Sequence, residues 1–296
     1  MVNINWQPIL GQIEKATGSP FKLANARPLS GGDINSAYCL QGGGRSYFAK
    51  LNRAEKADMF AAEADGLSEL ANTQTVRVPN PVVYGKSGDQ AFLVLEFIEF
   101  GPSGKTSESM LGQKLALLHQ RHQPYFGWHR DNTIGSTPQP NTRSNDWPLF
   151  WHDHRLRHQL HLAANKGYRG HLQTNGEQLC HKLAGFFDGY QPHPSLLHGD
   201  LWGGNAATDK QGNPVIFDPA CYYGDREADL AMTELFGGFS QNFYAAYEET
   251  YPLDAGYATR KTLYNLYHIL NHLNLFGSGY LGQAENMILR LLSEIR

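Results

Sequence analysis

The chain has 296 residues, of which 41% are hydrophobic and 18% charged, and its net charge is −3. This balance supports a large buried core in one or two domains and excludes a disordered chain; without a long basic run it also excludes a nucleic-acid footprint. Three cysteines without C-x-x-C spacing, an N-terminus without a basic, apolar leader, and no window near the roughly 18 apolar residues of a membrane span argue against a disulfide scaffold, a zinc knuckle and a membrane partner, and lead us to expect a cytoplasmic protein.

Trp6, Ile9, Leu10 and Ile13 recur at helical spacing, so the chain is predicted to begin with a helix. Strand signals dominate from there to residue 100. Gly31, Gly32, Asp33 and Asn35 open the first of these strands, in a loop that lets backbone N–H groups approach a phosphate without interfering side chains. Residues 38–40, a turn at 41–44 and residues 46–51 read as a hairpin, with Lys50 ending its second strand. A helix over residues 54–70 follows, from which Glu63 could point back to Lys50. Residues 76–83 and 91–98 are strand-rich. The second stretch runs through Glu96, Phe97, Ile98 and Glu99 into the breakers Gly101, Pro102, Ser103 and Gly104, the pattern of a hinge between two lobes. Gly104-Lys105-Thr106 resembles the end of a phosphate loop, but Glu99 stands where that motif requires glycine.

Beyond residue 100 helices dominate. Leu111, Leu115 and Leu118 share a face, as do Leu156, Leu160 and Ala163 behind a candidate N-cap at Asp146, and as do Leu179, Leu183 and Phe186. His154, His158 and His161 fall at i, i+4 and i+7. With Arg155 and Arg157 interleaved we read a solvated basic helix face rather than a metal site.

The sharpest signal is His198-Gly199-Asp200-Leu201-Trp202-Gly203-Gly204-Asn205, followed by Phe217-Asp218-Pro219, each next to a short apolar strand. In phosphoryl transfer an Asp accepts the proton of the attacking hydroxyl, an Asn after four intervening residues holds a metal, and a later Asp holds metal bridging the nucleotide phosphates. Lys50 and Glu63 then match the strand lysine and its helix-borne ion-pair partner. Gly199 stands where protein kinases carry an Arg, and only residues 220–224 separate the Asp218 motif from Asp225-Arg226. No room remains for a long phosphorylatable loop, which favours a constitutive small-molecule kinase.

The chain resembles the fructosamine kinases, or ketosamine-3-kinases, over essentially its whole length. The resemblance rests on Gly31-Gly32-Asp33-Ile34-Asn35, Phe126-Gly127 with Asp131-Asn132, and Thr137-Pro138-Gln139-Pro140-Asn141. It continues through Trp147, Phe150 and Arg155 to the two segments beginning at Leu197 and Phe217, and to Gly224-Asp225-Arg226-Glu227-Ala228-Asp229-Leu230-Ala231-Met232. It implies an α+β, two-lobed protein-kinase-like fold, with a nucleotide-binding lobe at residues 1–100 and a larger helical lobe at 101–296. It implies ATP-dependent phosphorylation of the third-carbon hydroxyl of a ketosamine, free or on a glycated protein. Carried over by position, Asp200 is the base and Asn205 and Asp218 the Mg2+ ligands. Lys50 holds the phosphates, Glu96 to Glu99 meet the adenine, Asp229 braces the catalytic loop, and His198 and Trp202 support the loop or the substrate. Some relatives carry a redox-sensitive Cys in the glycine loop; Asp33 stands here, so that regulation is not expected. Two rivals stay open: a kinase of another small molecule such as an aminoglycoside, choline or homoserine, and a non-catalytic nucleotide-binding module.

Overall fold

The computed structural model describes residues 4–29, 34–237 and 239–295. The first helix, α1 (Gln7–Thr17), carries proline in its first turn and stops at Gly18, which takes the left-handed conformation (φ 65°) that ends many helices. Strands β1 (Asn25–Leu29), β2 (Ser36–Gly42) and β3 (Arg45–Arg53) come next. The β2–β3 turn places Gly43 and Gly44 both at positive φ, which a two-residue hairpin matched to strand twist requires. Helix α2 (Ala57–Asn72) leads to β4 (Pro81–Ser87) and β5 (Gln90–Glu96), completing an antiparallel sheet of order β1-β2-β3-β5-β4.

Side-chain alternation in β5 divides this sheet between two cores. Phe92 and Val94 pack with Ile9, Leu10 and Ile13 of α1, while Ala91, Leu93 and Leu95 join Phe60, Leu67 and Leu70 of α2 in the main core. The predicted strand over residues 76–83 is only half present. Val76 and Val78 are buried, but Arg77 bridges to Val215 of the second lobe, so this stretch links the lobes before β4 begins.

The chain leaves the five-stranded sheet after Glu96. At β6 (Phe100–Gly101) it joins a different one, because Phe100 and Gly101 pair with Asp209 and Thr208. Helix α3 (Lys105–His119), the hairpin β7 (Asn132–Ile134) and β8 (Thr137–Gln139), and α4 (Trp147–Trp151) follow. The Asp146 side chain accepts from the Leu149 amide, as its N-cap position predicts. A π-helical turn at His152–Leu156 passes into α5 (Arg157–Asn165), then α6 (His171–Lys182). Four short strands carry the site: β9 (Ser195–Leu197), β10 (Ala206–Asp209), β11 (Pro214–Ile216) and β12 (Tyr222–Gly224), with β9 paired to β12 and β10 to both β11 and β6. Helices α7 (Glu227–Thr233), α8 (Gln241–Thr250), α9 (Tyr257–Phe276) and α10 (Leu281–Glu294) close the fold. The long α9 is its spine, buried along Leu263, Leu266, Ile269, Leu270 and Leu273.

Candidate active site

Lys50 lies within β3 rather than at its end, and is 5% exposed. Its Nζ sits 2.6 Å from Glu63 Oε1 on α2 and 2.6 Å from Asp218 Oδ1. Burial alone would lower the lysine's affinity for its proton. The charges of Asp218 and Glu63 more than reverse that, so the ammonium stays protonated well above its ordinary range. The strand and the helix were legible separately; the ion pair joins them as expected.

The loop at residues 198–205 hangs from α7. Asp229 accepts from two consecutive amides, His198 N at 2.7 Å and Gly199 N at 2.8 Å. Burial would raise this carboxyl, but His119 and the Gly199 amide hold it below the usual carboxylate range. His119 Nε2 donates to Asp229 Oδ2 at 3.2 Å and its Nδ1 accepts from Tyr247 OH at 2.8 Å, tying the loop to α3 and α8. His198 is also buried, which disfavours its charged form. Its Nε2 donates to the Phe217 carbonyl at 3.0 Å and its Nδ1 accepts from the Asp200 amide at 3.2 Å, so one neutral imidazole fixes both halves of the site.

Gly199 has φ 82°, and a Cβ there would lie 2.1 Å from the Ala220 carbonyl oxygen. No larger residue fits, so the position where protein kinases carry Arg is closed by sterics as well as by the missing loop. Asn205 donates through Nδ2 to Asp200 O at 2.8 Å and to Asp200 Oδ2 at 3.2 Å, while its backbone carbonyl receives the Phe217 amide at 3.0 Å. Asp218 stands at φ 58°, a left-handed conformation that a non-glycine residue holds at a cost of about 1–2 kcal/mol. Burial first, then the charge of Asp218, pushes the Asp200 carboxyl up to about 7 against the opposing Asn205 hydrogen bond. A carboxyl poised there accepts a proton near neutral pH.

These groups open into one cleft of about 1220 Å³, lined by Lys50, Glu63, Asp200, Asn205 and Asp218. That exceeds the roughly 300–1,000 Å³ of an ordinary ligand pocket and leaves room for two reactants. Among the described residues no cluster of three or more His, Cys, Asp or Glu side chains forms a self-sufficient metal cage. The donors present are instead the Asn205 amide oxygen, left free because its nitrogen serves Asp200, and the half-exposed Asp218 carboxylate. Two hard oxygen donors suit Mg2+, which takes one or two protein oxygens and completes its shell with phosphates and water.

Other expected positions divide. Glu96, Phe97, Ile98 and Glu99 all line the cleft. The Glu96 side chain, however, is engaged by Arg77 at 2.7 Å and Asn80 at 3.0 Å, and the Glu99 carbonyl by the Lys210 amide at 3.2 Å. Among the described residues the backbone groups of Phe97 and Ile98 have no protein partner, which leaves them for a ligand. Asn35 lines the cleft and accepts from Asn52 Nδ2 at 2.7 Å; Gly31, Gly32 and Asp33 lie outside the described residues. Trp202 is 38% exposed and its indole covers Gly204, where a Cβ would meet the ring at 2.3 Å.

One reading needs correction. Arg155 is not solvated but fully buried, with its guanidinium 4.1 Å above the Tyr222 ring. The π-helical turn at His152–Leu156 precedes His158, whose Nε2 lies 3.0 Å from Pro138 O, and the His154 ring packs on Phe150. Sequence reasoning also missed His119, a helix-end residue that nothing local distinguishes. It missed the aromatic wall of Phe236, His272, Phe276 and Tyr280 at the cleft's far side as well. Those rings gather from three separate segments.

Known proteins resemble this chain over most of its length. A family profile described as fructosamine kinase matches residues 5–294. A probable ketoamine kinase of Synechocystis sp. is 50% identical over 288 residues, covering 97% of both chains. The chloroplastic protein-ribulosamine 3-kinase of Arabidopsis thaliana is 44% identical over 274 residues, covering 92% of this chain and 83% of the relative. A crystal structure from Haemophilus somnus 129PT, assigned as a fructosamine-3-kinase, superposes with TM-score 0.90 at 31% identity, covering 97% of both chains. The gentamicin complex of APH(2")-IIa shares the fold at TM-score 0.62 and 16% identity.

Proposed function

The chain belongs to the fructosamine kinase family, and from that we propose that it is an ATP-dependent phosphotransferase acting on the 3-hydroxyl of ketosamines, free or carried on protein lysines. The observation that carries this reading is the convergence of Lys50, Glu63, Asp200, Asn205 and Asp218 on one cleft, with every charged member of the phosphoryl-transfer set intact. In this reading residues 1–100 serve the nucleotide and residues 101–296 the acceptor. Phe97 and Ile98 meet the adenine edge, and the glycine loop covers the phosphates.

Asp200 takes the proton of the acceptor hydroxyl as that oxygen attacks the γ-phosphorus. The new O–P bond forms, the bond to the ADP oxygen breaks, and the proton ends on the carboxylate. Lys50 turns its ammonium from Asp218 to the phosphate oxygens, and Glu63 keeps the lysine in place. Asn205 and Asp218 would hold Mg2+, which supplies charge neutralisation to the phosphates when bound. Trp202, exposed beside the base, offers a flat apolar face to the sugar.

In the enaminol formed across the first and second carbons the phosphate on the third carbon is allylic, and it leaves far more readily than hydroxide. Loss of inorganic phosphate leaves an imine at the first carbon, which water hydrolyses to the free amine and a deoxy-dicarbonyl sugar, so the enzyme serves deglycation. Free, buried Cys39, Cys180 and Cys221 fit the reducing cytoplasm we assign it. No helix among the described residues is long and apolar enough to cross a membrane. The aminoglycoside-kinase alternative has fold-level likeness alone in its support. The test is an ATP-consumption assay with Mg2+ across ribulosamines, fructosamines, aminoglycosides and choline, the ketosamine product followed by phosphorus NMR. Turnover confined to the aminoglycosides or choline overturns the ketosamine assignment; nucleotide binding without turnover on any acceptor overturns catalysis.

A further inference from the structure

The hairpin β7–β8 and the irregular segment that follows it carry three buried carboxamides that the phosphoryl-transfer chemistry does not use: Asn132, Gln139 and Asn141. They form one network. Asn132 Oδ1 accepts from Gln139 Nε2 at 2.8 Å and from Asn141 Nδ2 at 2.9 Å. Gln139 Oε1 accepts from Tyr267 OH at 2.6 Å on α9, and Asn141 Oδ1 accepts from Arg155 Nη2 at 2.8 Å. Two of its donations fall on backbone just past Asp218, and a third, from Asn141 Nδ2, falls on the Arg130 carbonyl at 3.2 Å. Gln139 Nε2 donates to the Ala220 carbonyl at 3.1 Å and Asn132 Nδ2 to the Cys221 carbonyl at 2.8 Å.

Ala220 is thereby pinned from three sides. Its amide donates to His198 O at 2.8 Å, its carbonyl receives Gln139, and that same carbonyl abuts Gly199. Asp218, two residues earlier, holds a strained left-handed backbone that persists only if its surroundings over-determine it. Arg155 anchors the far end. It is a fully buried cation with no carboxylate within salt-bridge distance among the described residues. Carbonyls, a carboxamide and a ring face meet its two Nη groups instead, through Pro140 O at 2.7 Å, Asn141 and the Tyr222 ring, while its buried Nε has no hydrogen-bond partner among the described residues. A buried cation so placed costs stability unless the geometry around it is fixed. Fixed geometry is what the segment after Asp218 needs.

We infer that Gln139, supported by Asn132 and Tyr267, is a positioning residue for Asp218. The carboxamide network permanently orders the segment that a protein kinase orders by phosphorylating its activation loop. The inference rests on Asp218 being a metal ligand, as proposed above. The network acts through backbone carbonyls, so its loss loosens the 217–224 segment without removing any group that touches substrate.

The test compares Gln139→Met, Tyr267→Phe and, as a control, Asp218→Asn. Hydrogen exchange on nucleotide-free and metal-free protein reads the 217–224 segment directly, since the Ala220 amide reports its bond to His198. Gln139→Met is expected to speed exchange there at least about tenfold while leaving the β2–β3 hairpin unchanged. In steady-state kinetics it is expected to lower kcat and raise the half-saturating Mg2+ concentration by roughly 10–100-fold, as loss of a metal ligand's supporting partner does, with KM for the ketosamine little changed. Tyr267→Phe keeps the ring packed and is expected to move the same quantities in the same direction by less; it decides the question if Gln139→Met does not fold. A lower melting temperature with unchanged kcat and Mg2+ requirement overturns the inference, leaving the network a structural one. If Asp218→Asn leaves the Mg2+ requirement unchanged, the metal reading of Asp218 fails instead, and the exchange data still judge whether Gln139 orders the segment.

Discussion

Lys50 Nζ lies 2.6 Å from Asp218 Oδ1, so in the nucleotide-free protein the cation expected on the phosphates and the carboxylate expected on the metal neutralise each other. Glu63 holds the lysine from the other side. Lys50 is thus fully paired before the ligands arrive, one ammonium held between two carboxylates. Nucleotide entry exchanges one anion on Lys50 for another rather than exposing an unpaired buried charge.

Lys50→Met is expected to lower kcat by roughly 10²–10³-fold, because the ammonium neutralises phosphate oxygens most strongly as charge redistributes in the transition state, while Met keeps the stem volume. Steady-state kinetics over ATP concentration checks this. A rise in KM for ATP with unchanged kcat would assign Lys50 to ground-state binding alone.

Asp200→Asn is expected to remove about 10²–10⁴-fold of turnover while ADP binding by titration calorimetry persists. In the wild type, kcat/KM should fall as pH drops through about 7, since the unprotonated carboxylate is the active form and its carboxyl is pushed up to that value. The same shift has a stability consequence. Because the folded value lies above the unfolded one, ionisation of Asp200 destabilises the fold progressively from about pH 4 to 7 and fully above 7. The Asn variant should therefore melt higher than wild type at pH 8, and that gain should vanish toward pH 4.

Asp218→Asn should raise the Mg2+ concentration for half-maximal activity more than Asn205→Ala does. A charged ligand contributes more than a neutral carboxamide, and Asn is among the side chains most tolerant of the φ 58° that position 218 adopts. Activity titrated with Mg2+ in both variants gives the comparison; equal requirements would contradict the ranking.

Gly199→Ala should destabilise the protein by at least about 2 kcal/mol and abolish turnover in whatever folds, since its methyl group meets the Ala220 carbonyl oxygen at 2.1 Å in a left-handed backbone. Urea denaturation followed by fluorescence measures the shift in midpoint. A near-wild-type midpoint would mean that the Ala220 segment moves aside easily, which would also weaken the case for the Gln139 brace.

By itself the sequence determined what local chemistry dictates. Phosphoryl transfer needs particular residue types at fixed separations, so Asp200, Asn205 and Asp218 were readable as candidates from their spacing, and Lys50 from its order in the chain. Glycines favour turns, so the run at 41–44 announced the β2–β3 hairpin, which the structure tightens to Gly43 and Gly44, both at positive φ. Glu63 was placed because a helix after a strand aims one face back at it. The tertiary structure decided whatever depends on partners distant in the chain. Arg155 carries a charge and so reads as surface, yet it is buried because Pro140, Asn141 and the Tyr222 ring happen to surround it. His119 braces Asp229 across 110 positions. Residues 76–80 look like a strand but run between the lobes because Arg77 meets Val215 and Asp209 there. Glu96 carries a charge at the cleft, yet its carboxylate is taken up by Arg77 and Asn80 rather than left to water. The physical reason is common to all four. A side chain's type fixes what it can bond, but whether water or protein satisfies it is set by the three-dimensional neighbourhood, which no local window contains.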